Sequence, residues 1–326
     1  MKLAKFFLWI IFLFLSKNAV CSDMVDSNTL NGKLIMGYQG WFHCPTDDAY
    51  LGWGHWKNGE NMAVDMLPDM ADFSDGEKCK TLMRDKNNNT INLFTNSDPK
   101  TIEKHFYWMK KYGIDGVAVQ RFANIILDDN SYNSSNIELK YIKNSSERNG
   151  RVFYVMYDLS GFPDEKLNLV VNDWENIIKS GITKSPSYLR HHGKPVLAIW
   201  GLGFSGRSLT PQHAVNLLKS LKDISNDFGG VTFIGGVPAY WNEGINDADN
   251  NPDWKKVWSM LSVISPWTVG RYKNIQESDK YKDELLKPDI NFTHKKILII
   301  SQLYFLDIHM PMVIMLIIHF LQLRIR

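Results

Sequence analysis

Six short apolar segments set the pattern of this chain between residues 32 and 270. They lie at Leu34–Gln39, Ile114–Gln120, Val152–Asp158, Pro195–Trp200, Thr232–Val237 and Val263–Val269. A near-continuous apolar run of this length is typical of a strand that is covered on both faces, as the strands of parallel sheets are. The sequence therefore predicts a parallel sheet with other structure packed on each face.

Amphipathic helices are predicted between these strands, because apolar residues recur there with the helical period. Three such stripes are Ile102, Phe106 and Met109; Ala214, Leu217, Leu218, Leu221 and Ile224; and Trp254, Val257, Trp258 and Leu261. Pro211 after Thr210 marks a helix start, since proline is favoured at the first helical position. Repeated strand–helix units favour a (β/α) barrel or a doubly wound sheet, and a body of about 250 residues fits the barrel.

The amino-terminal end carries the signature of an exported protein. Two lysines precede an apolar run from Phe6 to Leu15, and Ala19-Val20-Cys21 supplies small residues for a cleavage site. This pattern predicts a secretory signal peptide at residues 1–21 and a secreted, extracellular protein.

The carboxyl-terminal residues 297–326 form an apolar tail unlike the rest of the chain. All 22 glycines lie at or before Gly270. One interpretation is a membrane anchor at residues 308–323, which is shorter than the about 20 residues that a spanning helix needs. The favoured interpretation is a frameshift. Codons for Ile299 to Arg326 can be chosen so that reading them two nucleotides out of frame gives a strand-like, aromatic peptide with a Pro-Gly turn. We therefore predict a (β/α)8 TIM-type barrel over residues 22–296 whose last strands are missing or corrupted. Loss of these strands would inactivate the protein.

The composition limits the partners of the protein. The 37 basic and 35 acidic residues leave a net charge of +2, which predicts no nucleic-acid partner. Cleavage after Cys21 leaves Cys44 and Cys79, which in an oxidising compartment either pair or stay as separate buried thiols. The segment Gly201–Gly206 matches the dinucleotide-binding glycine pattern, but the helix signal starts only at Thr210, after the last glycine. No metal, no cofactor and no stable protein partner are predicted.

Aromatic and polar side chains cluster where the predicted strands end. In a barrel these ends converge on the face that hosts active sites. Flat rings cover the apolar C–H face of a sugar while amides and charged groups bind its hydroxyls, so the cluster predicts a glycan-binding surface. Burial in the core is the alternative for any single tryptophan. The candidate binding residues are Gln39, Trp41, Gln120, Arg121, Tyr157, Trp200, Tyr240, Trp241, Trp267 and Arg271.

Asp158 and Glu243 are the candidate catalytic residues, because each directly follows a predicted strand. Glycosidic bond cleavage needs two carboxyl groups: one protonates the leaving oxygen, and the other attacks carbon or activates water. The alternatives are a turn-capping role for Asp158 and a solvated loop position for Glu243. The long segment 43–98 after the first strand is predicted to form a wall of the site, and it holds four reserve candidates: Asp47, Asp48, Glu60 and Asp65.

Five strings of residues are similar to strings of a known group of proteins. They are IMGYQGWF at 35–42, GIDGV at 113–117, YDLSG at 157–161, GVPAYW at 236–241 and ISPWTVGRY at 264–272. Together they resemble secreted proteins related to glycoside hydrolase families 71 and 99, many of which carry a xylosidase/arabinosidase label. The resemblance implies a (β/α)8 barrel that acts on a polysaccharide or glycan without a metal or an organic cofactor.

One departure from family 99 bears on the mechanism. That family has two glutamates three residues apart in a strand-end loop, whereas here Tyr240 stands at the first of these positions and Glu243 at the second. The family 99 mechanism and its mannoside substrates are therefore not carried over. The sequence predicts a secreted glycoside hydrolase with a two-carboxylate mechanism. The alternatives are a non-catalytic carbohydrate-binding barrel and a membrane-tethered, glycan-binding surface protein.

Overall fold

The structure, a computed structural model, describes residues 24–45, 51–58, 61–64, 67–295, 299–300, 302–305 and 315–319. The predicted signal peptide at 1–21 and most of the tail at 297–326 lie outside the described residues. The four reserve carboxylates, Asp47, Asp48, Glu60 and Asp65, lie outside them as well.

Six parallel strands form the centre of the fold, and they are the six that the apolar segments predict. Their bounds are β1 Lys33–Tyr38, β2 Gly116–Phe122, β3 Val152–Asp158, β4 Lys194–Trp200, β5 Thr232–Val237 and β6 Val263–Pro266. Each strand pairs in parallel with the next one along the chain. The result is a curled, mostly parallel sheet with helices between the strands, so the predicted α/β class is confirmed.

The tail adds short strands at both edges of this sheet. They are β7 Ile299–Ile300, β8 Gln302–Phe305 and β9 Met315–His319. Strand β7 runs parallel to β6, whereas β9 pairs antiparallel with both β1 and β8. A complete (β/α)8 barrel has only parallel strands, and this antiparallel strand lies in the tail, where the last barrel strands are predicted to be missing or corrupted. The connection between β8 and β9 is shorter than the dozen or more residues that a parallel crossover requires.

Seven α-helices are described, and they are α1 Pro99–Lys111, α2 Asp129–Asn149, α3 Leu167–Lys179, α4 Pro211–Asn226, α5 Trp254–Trp258, α6 Ile275–Tyr281 and α7 Lys287–Lys295. A π-helical stretch, Lys282–Leu286, joins the last two. Helix α4 starts as predicted: the Thr210 side chain accepts a hydrogen bond from the His213 backbone N–H at 3.2 Å, and Pro211 occupies the first turn. None of the helices in the described part of the chain is long and apolar enough to cross a membrane.

The predicted apolar stripes form the contact between helices and sheet. Ile102 and Phe106 of α1 and Leu218 of α4 are fully buried. On the strands, Phe153 and Ile199 are fully buried as well. The main core therefore includes the layer between sheet and helices, which holds the carboxyl ends of the strands in a fixed relation to one another.

The long segment after β1 has a small core of its own. Its hairpin pairs Cys79–Arg84 with Thr90–Leu93, and a disulfide joins Cys44 to Cys79, which confirms the pairing alternative. Phe42, Trp56, Phe73, Leu93 and Phe94 pack together beneath it. The covalent link and the aromatic cluster stabilise this segment beside the end of β1.

Candidate active site

Strand register decides which side chains face the interior of the curled sheet. Asp158 at the end of β3 pairs with Phe122 of β2 and with Trp200 of β4. Paired residues point to the same face, and neighbours along a strand point to opposite faces. Asp158, Trp200 and Gln120 therefore share one face, whereas Arg121 and Tyr157 share the other. The second face contacts the helices, so the first is the interior.

Three side chains form a hydrogen-bonded row across the carboxyl ends of β1, β2 and β3. Gln39 Nε2 donates to Gln120 Oε1 at 3.0 Å, and Gln120 Nε2 donates to Asp158 Oδ2 at 2.9 Å. The backbone N–H of Ser160 donates to Asp158 Oδ1 at 2.8 Å. Both carboxylate oxygens thus accept an N–H, which fixes the orientation of the carboxylate. The three residues of the row and Ser160 are all half-buried, so the row lines an accessible floor.

Aromatic rings stand on both sides of this row. The Trp200 ring lies edge-on to that of Trp267, with centroids 5.6 Å apart and planes at 81°. The Trp200 ring covers Gly236 of β5, where an added Cβ would lie 2.1 Å from the indole. On the other side, Trp41 stacks between Phe122 at 5.7 Å and His55 at 4.3 Å. The floor is therefore flanked by aromatic side chains, of which Trp41 and Trp267 are half-buried. Trp200 is only 6% exposed, so its ring belongs largely to the core, which is the alternative for any single tryptophan.

The loops after β5 and β6 are tied together by an ion pair. Asp247 accepts backbone N–H groups of Ala239 and Tyr240 at 3.0 and 3.2 Å, and Arg271 donates to the same carboxylate. Arg271 also donates to the carbonyl of Trp267 at 3.3 Å. Arg271 therefore has a loop-bracing role that accounts for its charge.

Trp241 lies among the helices and not at the interior floor. It is 3% exposed and packs edge-on against Trp258 and Phe292, with centroids 6.0 and 5.7 Å away. Its indole Nε1 donates to Asp289 Oδ2 at 2.9 Å. This burial is the core alternative that the sequence left open, and it removes Trp241 from the candidate sugar platforms.

Two carboxyl groups, those of Glu243 and Asp289, interact in the region of Trp241. Glu243 is exposed on the loop after β5, and Asp289 of α7 is fully buried. Burial, and to a smaller degree the negative charge of Glu243, raise the pKa of Asp289 to about 7 against the opposing hydrogen bonds of Trp241 and Asn242. Sequence reasoning missed Asp289, because it follows Pro288 inside a helical segment and no strand precedes it.

Arg121 and Tyr157 are placed in the layer between the sheet and the helices. Arg121 is 2% exposed and binds Asp173 of α3 through Nε and Nη2 at 2.6 and 2.8 Å. Its other bonds go to Ser135 and Asn136 of α2. The Tyr157 hydroxyl donates to the same Asp173 at 2.5 Å. Arg121 and Tyr157, which are predicted to bind substrate, instead belong to a buried structural network. Their side chains point to the face of the sheet opposite the interior.

The structure brings some of the predicted residues together and separates others. Gln39, Gln120, Asp158, Trp200 and Trp267 line the interior floor, and Trp41 flanks it. Tyr240, Glu243 and Arg271 belong to the loops after β5 and β6. The segment Gly201–Gly206 is a loop that ends before α4, as the late helix signal indicates.

The fold of this chain is similar to that of a solved enzyme. The chain matches two structures of the GH99 endo-alpha-mannosidase from Bacteroides thetaiotaomicron, one of them in complex with BIS-TRIS-propane. The TM-scores are 0.57 and 0.56 at 14% and 13% identity, over 86% of this chain and 69% and 71% of the other. The likeness is one of fold. No protein-family model matches the sequence, and no curated protein is similar to it.

Proposed function

We propose that the protein is a glycoside hydrolase whose site is the floor formed by Gln39, Gln120 and Asp158. The observation that carries the proposal is an oriented, hydrogen-bonded carboxylate between aromatic walls, at the carboxyl ends of parallel strands. This is the end of such folds where active sites lie. The fold shared with a solved endo-mannosidase supports the proposal at the level of reaction class.

The proposed mechanism assigns different roles to two carboxyl groups. Asp158 is held in place by two N–H bonds, and it is the proposed partner that attacks the anomeric carbon or removes a proton from water. Glu243 is the proposed acid, and its protonated form passes the proton to the glycosidic oxygen as that bond breaks. A separation of about 5–5.5 Å between the two groups gives retention, and about 6.5–9.5 Å gives inversion.

The test of this proposal compares three isosteric variants on a panel of plant, algal and fungal polysaccharides. Asp158→Asn and Glu243→Gln are each expected to lower kcat by about 10²–10⁴-fold, because each removes a group that exchanges a proton or a bond at the reacting atoms. Asp227→Asn is the matched control, since Asp227 is exposed after α4 at the opposite end of the sheet. Unchanged release of sugar by Asp158→Asn would overturn the assignment.

A non-catalytic glycan-binding barrel is the second candidate. It is favoured by one observation: within the described residues, neither a hydrogen bond nor an ion pair joins Glu243 to the row that contains Asp158. Calorimetry on the same panel separates the two candidates. Binding that releases no sugar, and that Asp158→Asn leaves intact, would identify the binding barrel.

Export and the origin of the tail are proposals about the ends of the chain. Export through residues 1–21 predicts that the secreted protein begins at Ser22, which amino-terminal sequencing measures. The frameshift predicts that the codons for Ile299 to Arg326, read two nucleotides out of frame, encode a strand-like peptide without a stop codon. The genomic sequence tests this prediction. Solubility that requires detergent, and that is restored by removing residues 297–326, would instead support the membrane anchor.

A further inference from the structure

The loop after β4 holds an arginine against the end of that strand. Gly201 has a φ of +104°, a conformation that side chains disfavour, and an added Cβ there would lie 3.1 Å from Arg207 Nη1 and 3.4 Å from Leu159 Cβ. Glycine at this position therefore leaves the space that the guanidinium occupies. This gives the glycine-rich segment 201–206 a structural role that the dinucleotide pattern does not describe.

Two further contacts hold Arg207 in place, and neither carries a charge. Arg207 Nη1 donates to Ser160 Oγ at 2.9 Å, and the guanidinium carbon lies 4.6 Å from the centroid of the Phe204 ring. The side chain is otherwise exposed. No carboxylate pairs with Arg207 among the residues that the structure describes, so its positive charge is oriented but not neutralised.

The unpaired charge of Arg207 contrasts with the paired charges of Arg121 and Arg271, the two other arginines described above near the strand ends. Arg121 is neutralised by Asp173, and Arg271 by Asp247. Arg207 is also close to the proposed catalytic carboxylate, because Ser160 contacts both: its hydroxyl accepts from Arg207, and its backbone N–H donates to Asp158. Arg207 thus places an oriented, unneutralised positive charge at the rim of the floor.

We propose that the site takes an acidic glycan, whose anionic substituent is bound by Arg207. The inference rests on the proposed function and names its substrate class. The edge formed by Nε and Nη2 makes no hydrogen bond within the described part of the chain, and this edge matches the two oxygens of a carboxylate or a sulfate. A uronic acid and a sulfated sugar both supply that group, on a sugar unit next to the bond at Asp158.

The experiment measures binding by calorimetry with full-length protein that carries Asp158→Asn to prevent turnover. The probes are polygalacturonic acid with its carboxyl-reduced form, and carrageenan with its desulfated form, which separates uronate from sulfate. We expect one acidic polymer to bind at least about tenfold more tightly than its neutral form, since a hydrogen bond between two charged groups is stronger than one to a neutral group. Arg207→Gln is expected to abolish that preference, and Arg207→Lys to retain part of it.

Arg148→Gln is the matched control, because Arg148 is an exposed arginine at the end of α2, beside the start of β3 and away from the floor. An equal loss with this variant would show non-specific attraction and would overturn the inference. Neutral forms that bind as tightly as acidic ones would also overturn it, while the proposed function stands. If neither acidic polymer binds, the inference fails, whereas the proposed function fails only if protein with Asp158 intact releases no sugar from the polysaccharide panel.

Discussion

Removing the partner of Arg121 tests whether this arginine is structural or available to a ligand. The guanidinium is 2% exposed, and the Asp173 side chain that neutralises it is 1% exposed. Asp173→Asn leaves a buried positive charge without its counter-charge while it preserves the shape of the side chain. Breaking a buried pair in this way costs about 3–5 kcal/mol, because water does not compensate the remaining ion.

Urea unfolding followed by tryptophan fluorescence measures this loss. With a slope of about 3 kcal/mol per molar urea, the midpoint is expected to fall by roughly 1–1.7 M. Glu175→Gln is the matched control on the same helix, since Glu175 pairs with Lys179 at the surface, with side chains 36% and 57% exposed. Such an exposed pair contributes about 0–1 kcal/mol.

A midpoint for Asp173→Asn that equals the Glu175→Gln midpoint would refute the reasoning. It would mean that water reaches the Arg121 guanidinium in the folded protein, and the sequence-based assignment of Arg121 to the binding surface would regain support. With the expected loss, folded Asp173→Asn protein still binds glycan under native conditions, because no group of the interior floor has changed.

Two further predictions concern stability. Because burial raises the pKa of Asp289 from its ordinary 3.8 to about 7, the folded protein holds a proton that the unfolded chain releases, so the free energy of unfolding should fall between about pH 4 and 7 by on the order of 4 kcal/mol. Asp289→Asn should remove this slope in urea titrations across pH, and an unchanged slope would contradict the assignment. The Cys44–Cys79 disulfide closes a loop with a sequence separation of 35, so a Cys44→Ser/Cys79→Ser variant should lose about 4 kcal/mol relative to the oxidised protein. Equal urea midpoints for the two proteins would show that the aromatic cluster alone stabilises this segment.

The strands and helices were predictable because their signals are local. Each of the six apolar segments reads as a buried strand without knowledge of its neighbours, and Thr210 with Pro211 marks a helix start in the same way. The predicted ends of β3, β4 and β5 match the structure, whereas β2 runs on to Phe122 and β6 ends earlier, at Pro266. These differences still leave Gln120 and Asp158 at one edge of the sheet. For these elements, the residues that are apolar in the sequence are the ones that the fold buries, so the local pattern is enough to predict them.

The identity of the site residues was less accessible, because side-chain direction alternates with every residue along a strand. Gln120 and Arg121 are adjacent polar residues, and the sequence predicts both equally well as binding residues. In the structure Gln120 faces the floor and Arg121 faces Asp173. Asp158 and Tyr157 differ in the same way. A one-residue difference in register exchanges the two faces, and no local signal near these polar strand ends fixes it.

Residues distant in sequence were beyond local reasoning altogether. Trp241 looks like a sugar platform beside its strand, but α5 and α7 cover it and Asp289 accepts its indole N–H. Arg207 follows a glycine-rich string that suggests a nucleotide, and only its contacts with Ser160 and Phe204 show where its charge lies. The sequence by itself determined the strands, the helices and the edge of the sheet where polar groups gather. Tertiary structure alone decided which of those groups face the floor, because burial and charge pairing depend on neighbours that local periodicity does not specify.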